Sequence, residues 1–231
     1  MNQTIRKIAP YVAFLGGIVA FGLRFFFLKG TPGSEVGLWV LSAITVICAL
    51  ALARTLKPRS VYVDSFSSDN GWLILSLLAS LGLLLGNGLL IFQGTSGMNT
   101  VIAYLGVVAG GSMAVVAIGR KQGTVTSLWI HAAVTIYLVV KLIFDFRNWS
   151  IDPSLMDYCF SLFAAIGAML ANTYIGHFVF NKGRRKPAVF WCLVATVFNL
   201  CAVADGTLST RLMLIGLALW SVSNCGQLLE D

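Results

Sequence analysis

Long apolar stretches recur along the whole chain, separated by short polar segments. A helix needs about 20 apolar residues to cross the hydrocarbon of a bilayer, where its backbone groups must bond to one another. Eight stretches meet or approach that length: Ala9–Leu28, Val36–Ala53, Trp72–Phe92, Thr100–Ile118, Thr126–Phe146, Leu155–Phe180, Ala188–Ala204 and Leu212–Leu229. The pattern predicts an all-α, polytopic membrane helix bundle of eight transmembrane helices that form a single integral membrane domain.

The last two stretches match this pattern least well. The seventh is short, and the eighth becomes polar near its end, at Ser221, Ser223, Asn224 and Gln227. Proline supports the starts of the first, sixth and seventh helices, because a first-turn proline loses no helical hydrogen bond. We therefore expect Pro10, Pro153 and Pro187 to lie in the first turns of their helices.

Composition supports the membrane assignment and excludes several function classes. Only 11% of the 231 residues are charged and 58% are hydrophobic, whereas a soluble domain carries about 25% charged residues. The net charge is +7, but the basic residues fall in short clusters rather than along a basic helix, which argues against nucleic-acid binding. The five cysteines form no C-x-x-C pair, so we predict no metal site and no cofactor.

The distribution of lysine and arginine predicts the orientation of the helices, because cytoplasmic loops are enriched in both. With the N-terminus inside, five basic residues lie on the outer side and eleven on the inner side. The inner residues are Arg6, Lys7, Arg54, Lys57, Arg59, Arg120, Lys121, Lys182, Arg184, Arg185 and Lys186. Both termini are thus predicted to be cytoplasmic. The short loops and strong charge bias are typical of a bacterial plasma membrane.

The longest loop runs from Arg54 to Gly71 on the predicted inner side. It begins basic and becomes rich in serine and aspartate. We interpret it as a connector between helices; the alternative is a segment that lies on the membrane surface or binds a partner.

The fifth predicted helix has one polar face. At about 100° per residue, the side chains of His131, Thr135, Lys141 and Asp145 fall on the same side, and Trp129 projects to the opposite side. Polar groups at membrane depth are costly unless they face the interior of the bundle. The pattern predicts that this face looks into the bundle.

Two residues of this face have competing interpretations. Lys141 and Asp145 are four residues apart and can pair, but Lys141 lies near the helix end and could also extend to the interface. His131 lies deeper and could carry a proton, although a single buried histidine is more often a hydrogen-bonded packing residue.

Polar residues on other helices extend the candidate site. Asn87 lies on the third predicted helix, Asp157 and Asn172 lie on the sixth, and Asp205 follows the seventh. The candidate substrate-binding residues are Asn87, His131, Thr135, Lys141, Asp145, Asp157, Asn172 and Asp205. They predict a polar cavity; an ordinary ring of interfacial ion pairs is the alternative for the charged members.

Glycines cluster on the third and fourth predicted helices: Gly82, Gly86, Gly88, Gly106, Gly110 and Gly111. Small residues let neighbouring helices approach closely. We therefore interpret these positions as sites of tight helix packing.

No motif in the sequence identifies a family, and three hypotheses for function remain. The first is binding or transport of a small polar or charged solute through the polar cavity. The second is a non-enzymatic membrane subunit, sensor or assembly factor whose polar residues serve helix packing. The third is an intramembrane enzyme with His131 as its base. The predicted partners are the lipid bilayer and a small solute, and the sequence specifies neither substrate nor oligomeric state.

Overall fold

The computed structural model describes residues 3–30, 33–66, 69–94, 96–149 and 155–230. For residues 3–5, 148–149 and 155–157 it describes the backbone only. Every regular element in this part of the chain is helical. The α-helices are α1 (Gln3–Leu28), α2 (Ser34–Arg54), α3 (Tyr62–Ser65), α4 (Asn70–Phe92), α5 (Met98–Lys121), α6 (Leu128–Trp149), α7 (Leu155–Gly176), α8 (Arg185–Ala202) and α9 (Leu208–Leu229). Short 3₁₀ turns follow α7 at His177–Phe180 and α8 at Val203–Asp205.

The predicted set of eight long apolar helices is confirmed. Eight helices in the described ranges are long and apolar enough to cross a membrane, and α3 is the short ninth. The largest difference is at α1, which begins at Gln3 rather than Ala9. The expectation for Pro10 was therefore wrong, because the helix continues through polar residues that the apolar pattern does not mark. Pro187 lies in the first turn of α8, as predicted, and Pro153 lies outside the described residues.

The two helices with the weakest apolar pattern occupy the centre of the bundle. The most apolar windows of α8 and α9 are 83% and 78% buried, against 17% and 22% for α1 and α2. Helices α1, α4 and α7 pack directly on this central pair. Polar residues in α9 are tolerated because other helices, rather than lipid, surround them.

The remaining long helices surround α8 and α9. Helices α4, α5, α6 and α7 follow one another as packed neighbours along one side, and α1 and α2 cover the other. Because connections between successive helices are short, the loops collect at two opposite ends of the bundle.

One end collects most of the basic residues, and we call it the basic end. It comprises the start of α1, the α2–α4 connection, the α5–α6 loop, the α7–α8 loop and the end of α9. Direct contacts join these segments, which supports the predicted alternation of the spans. The contacts are those of Arg6 with Thr55, Lys121 with Asn70, Gly183 with Ser60 and Arg185 with Leu228.

Glycine does permit close helix packing at the centre, as predicted. A Cβ added to Gly82 would lie 3.0 Å from the Cα of Gly216, and one added to Gly86 would lie 2.6 Å from the carbonyl oxygen of Ser209. Helices α4 and α9 thus meet backbone to backbone. By contrast, a Cβ at Gly88 would meet no atom within 4 Å.

Candidate functional site

The long connection between α2 and α4 folds against the basic end of the bundle. Its short helix α3 carries Tyr62, and both Tyr62 and the following Phe66 are buried. The backbone N–H of Tyr62 donates to Oδ1 of Asn181 (3.2 Å), and the ring of Phe66 packs edge-on against Phe178 at 5.4 Å. The segment is a connector, as interpreted from sequence, but it also forms part of the packed interior.

The end of α5 places an arginine beside this segment. The helix stops because Gly123 adopts a left-handed conformation (φ 69°), and the N–H groups of Gly123 and Thr124 donate to the carbonyls of Arg120 and Gly119. This is the hydrogen-bond pattern with which glycine commonly terminates a helix. It fixes Arg120 in the last turn, where the helix dipole favours a cation.

Arg120 is buried among neutral polar and aromatic groups, with 4% of its surface exposed. Its Nη1 donates to Oδ1 of Asn224 (2.8 Å) and Oε1 of Gln227 (3.1 Å), and its Nε donates to the hydroxyl of Tyr62 (3.4 Å). Its Cζ lies 3.9 Å from the ring centroid of Phe66 and 5.4 Å from that of Trp220. The guanidinium of Arg120 is thus held by two segments of the chain, the α2–α4 connection and α9.

The charge of Arg120 is not neutralised by the side chains around it. Within the described part of the chain, no carboxylate forms an ion pair with it, and its Nη2 has no hydrogen-bond partner. Burying a charge without a counter-charge is costly. The site therefore contains a buried positive charge and one donor atom without a partner among the described residues.

The polar end of α9 is explained by this arrangement. Asn224 and Gln227 are three residues apart, so both lie on the helix face toward Arg120. Ser223 extends the network: its hydroxyl lies 2.7 Å from that of Ser76 on α4 and 3.3 Å from Nε2 of Gln227. Amides and hydroxyls at the end of the last helix thus support one buried cation.

A cavity of about 480 Å³ opens beside Arg120. Its walls include hydrogen-bond donors, apolar side chains and two acids, Asp64 and Glu230. The lining residues are Arg59, Tyr62, Val63, Asp64, Phe66, Arg120, Gly123, Thr124, Gln227 and Glu230. Asp64 is exposed, and Oε1 of Glu230 accepts a hydrogen bond from Nε1 of Trp72 (2.6 Å). The buried charge of this cavity is therefore positive, and its acids lie closer to the surface.

His131 lies behind this cavity rather than in an isolated position. Its ring is 6.0 Å from that of Tyr62, and its Nε2 is 2.9 Å from the hydroxyl of Thr126. It is close enough to Arg120 for the two to interact electrostatically. The histidine thus has the hydrogen-bonded environment of a packing residue and supports the wall formed by Tyr62.

The polar face of α6 does turn inward. His131 is buried, Thr135 is partly buried, and Trp129 on the opposite face is 78% exposed. Toward the other end of the helix, Nζ of Lys141 lies 2.7 Å from Oδ2 of Asp145, which confirms the expected pair.

Asn87 lies near this pair. Tyr137, buried on α6, interacts with both Asn87 and Lys141, and its hydroxyl lies 3.2 Å from the sulfur of Met213. The side chain of Asn87 donates to the carbonyl of Leu83, while its Oδ1 has no partner in the described ranges. These residues form a second polar cluster, distinct from the cavity at Arg120.

The remaining candidates are placed elsewhere. Asn172 accepts a hydrogen bond from Nε1 of Trp220 (2.8 Å) within the helix core, and Asp205 pairs with Arg24 (2.9 Å) at the end opposite the basic end. The side chain of Asp157 lies outside the described residues. The seven predicted site residues whose side chains the structure describes therefore lie in several separate places.

Sequence reasoning missed Arg120 and Tyr62. Arg120 was counted only as a topology-determining cation, and Tyr62 was part of a connector. The available signal was the polar end of the last helix: Asn224 and Gln227 on one face require a polar partner at the same depth. An arginine one turn before Gly123 is the partner that the sequence offers.

Comparisons of the chain with protein-family models, curated proteins and solved structures gave no match. The described part of the chain is all-helical, and its eight helices that are long and apolar enough to span a membrane suggest a multi-pass membrane protein. Its most distinctive polar feature is the buried arginine beside an open cavity.

Proposed function

We propose that this protein binds a small anionic solute in the cavity at its basic end, with Arg120 as the anchoring charge, as the first step of transport across the membrane. A carboxylate or a phosphate is the chemical group that fits. Both groups present paired oxygens to the planar donor array of an arginine.

The observation that carries the proposal is the unsatisfied Nη2 of Arg120 on a buried, positively charged side chain. An uncompensated buried charge costs about 3–5 kcal/mol. An interior arginine that served packing alone would therefore be stabilised by a carboxylate partner. Here the neighbouring acceptors are a phenol and two amides, which orient the guanidinium without cancelling its charge. That environment leaves the electrostatic attraction available to a ligand.

The distribution of charge over the whole protein supports the same ligand class. By sequence, the basic end holds eleven basic and four acidic residues, and the opposite end holds five of each. A positive surface around a pocket raises the local concentration of anions and their rate of entry. The cavity volume of about 480 Å³ is within the range of small-molecule sites.

The Arg120→Met variant is expected to lose anion binding. A hydrogen bond to a charged group is worth about 1.5–3 kcal/mol, so affinity should fall about tenfold or more. The purified protein is titrated with inorganic phosphate, acetate and succinate, and the thermal midpoint is followed, because a ligand that binds the folded state raises it. The matched control is Lys121→Met, which removes the same charge from the next residue, whose side chain is exposed and bonded to Asn70.

The proposal fails if none of these anions raises the midpoint of the unmodified protein at millimolar concentration, or if Arg120→Met responds as strongly as Lys121→Met does. Uptake of a bound anion into proteoliposomes separates transport from binding alone. Arg120→Lys adds a second comparison, since it keeps the charge and loses the planar donor array.

Helix packing is the second candidate role for the polar residues. Asn172 favours it, because its amide both accepts from Trp220 and donates to the carbonyl of Ala168 inside the core. Under this interpretation the Arg120→Met variant would melt earlier and no anion would stabilise either form. The same titration thus distinguishes the two roles.

The orientation of the protein is a separate prediction. We expect the basic end, with both termini, to face the cytoplasm, since lysine and arginine are retained there during insertion. Reporter fusions in the α5–α6 loop after Lys121 and in the α7–α8 loop after Lys182 should report the cytoplasmic side, and a fusion after Gln93 should report the other side. Fusions that place the first two loops on opposite faces would contradict the topology.

A further inference from the structure

An apolar groove lies between α1, α2 and α8 on the side of the bundle. Its volume is about 570 Å³, and its walls include Val12 and Gly16 of α1, Cys48 and Leu52 of α2, and Val197 of α8. None of its lining residues lines the cavity beside Arg120. The groove is therefore a separate feature, and inferences from it do not depend on the function proposed above.

Small side chains and a wide separation between the helices create the groove. A Cβ added to Gly16 would have Cγ2 of Val197, at 4.0 Å, as its nearest neighbour. Helices α1 and α2 are the least buried of the long helices together with α6. The space is thus open to the surroundings of the bundle and not closed by a neighbouring helix.

The lining presents hydrocarbon throughout. The two threonines among its walls satisfy their own hydroxyls: Oγ1 of Thr45 donates to the carbonyl of Leu41 (2.8 Å), and Oγ1 of Thr55 donates to that of Leu52 (2.7 Å). An occupant of the groove therefore meets only the weak thiol donor of Cys48 in its walls, which favours an apolar group.

The end of the groove at the basic end is strongly charged. Nη2 of Arg6 donates to the carbonyl oxygen of Thr55 (3.5 Å), and Thr55 itself lines the groove. Arg54 precedes Thr55 in the sequence, Lys57 follows it two residues later, and both are exposed. The apolar groove thus ends at a residue that Arg6 contacts and that two further cations neighbour in the sequence.

We propose that this groove holds an acyl chain of an anionic phospholipid, whose phosphate interacts with Arg6, Arg54 and Lys57. The apolar walls bind the chain and the cations select the headgroup. Basic residues at a membrane surface attract anionic lipid headgroups electrostatically. The apolar walls correspond to the acyl chain of such a lipid, and the charged end of the groove corresponds to its phosphate.

The test uses the full-length protein in lipid nanodiscs that contain phosphatidylglycerol or phosphatidylcholine with a photoreactive diazirine in the acyl chain. We expect phosphatidylglycerol to label the groove segments of α1 and α2 at least about fivefold more than phosphatidylcholine, as mapped by mass spectrometry. Replacing all three cations, as Arg6→Gln, Arg54→Gln and Lys57→Gln together, should reduce the labelling by phosphatidylglycerol to the level of phosphatidylcholine.

A steric variant tests the groove itself. Gly16→Leu should fill the space and abolish labelling there, while Gly22→Leu on the same helix, where a Cβ meets no atom within 4 Å, should leave it unchanged. If Gly16→Leu does not accumulate, Cys48→Trp fills the groove from α2, where the cysteine is exposed. Equal labelling by the two lipids, labelling that survives both filling variants, or cross-links between two copies of α1 or α2 would overturn the proposal.

Discussion

The Asp205→Asn variant is expected to be less stable than the unmodified protein by about 2–4 kcal/mol, because it removes a negative charge that is paired with the buried Arg24. Nε of Arg24 lies 2.9 Å and 3.2 Å from the two carboxylate oxygens of Asp205. Arg24 is 1% exposed, and its Cζ lies 5.0 Å and 5.4 Å from the ring centroids of Phe27 and Phe160. The pair joins α1 to the turn that follows α8.

The measurement is the free energy of unfolding in detergent, and the control is a double variant. Arg24→Met combined with Asp205→Asn removes both charges, so it should recover most of the lost stability, since an apolar replacement of a buried pair is often neutral. The coupling energy from the double-mutant cycle isolates the pair. If Asp205→Asn alone were fully stable, Asp205 would not act as a structural counter-charge, and its assignment to a ligand-binding cavity would regain support.

Pairing also accounts for three of the four charged residues that sequence reasoning assigned to the candidate cavity. Lys141 pairs with Asp145 and Arg24 pairs with Asp205. Both arrangements match the alternative of ordinary ion pairs near the end of the bundle. The basic end differs, because Arg120 is buried without such a partner in the described ranges.

The helices could be predicted from sequence because hydrocarbon imposes a single requirement, a long apolar segment with internal backbone hydrogen bonds. The same criterion underrated α8 and α9. Their polar residues, such as Asn199 and Asn224, are fully buried by other helices rather than exposed to lipid. A rule that treats every span as lipid-facing cannot recognise the central helices of a bundle.

The site could not be predicted for a different reason. Tyr62 and Arg120 are separated by 58 residues and meet only because the α2–α4 connection folds back onto the bundle. Hydrophobic patterning specifies which face of a helix is buried, but it does not specify which loop covers a helix end. The polar face of α6 was therefore predicted correctly, while the partners of His131 were not.

The Gly216→Val variant is expected to destabilise the bundle by about 3 kcal/mol or to prevent its accumulation, because overpacking forces the helices apart. A Cβ at Gly216 would lie 2.7 Å from the carbonyl oxygen of Ala79 and 2.9 Å from the backbone nitrogen of Leu83. Backbone atoms cannot rotate away as a flexible side chain can. Helices α4 and α9 would have to separate along the most extensive contact in the bundle.

Gly88→Val is the matched control, since Gly88 lies on α4, only a short distance from the crossing, and its Cβ would meet no atom within 4 Å. The thermal unfolding midpoint and the expression level of Gly88→Val should be close to those of the unmodified protein, because the valine side chain enters open space. Sequence reasoning treated Gly82, Gly86 and Gly88 alike, whereas the structure separates the two that face α9 from the one that does not. Equal effects at Gly216 and Gly88 would show that helix propensity, and not close approach at the crossing, decides the cost of these substitutions.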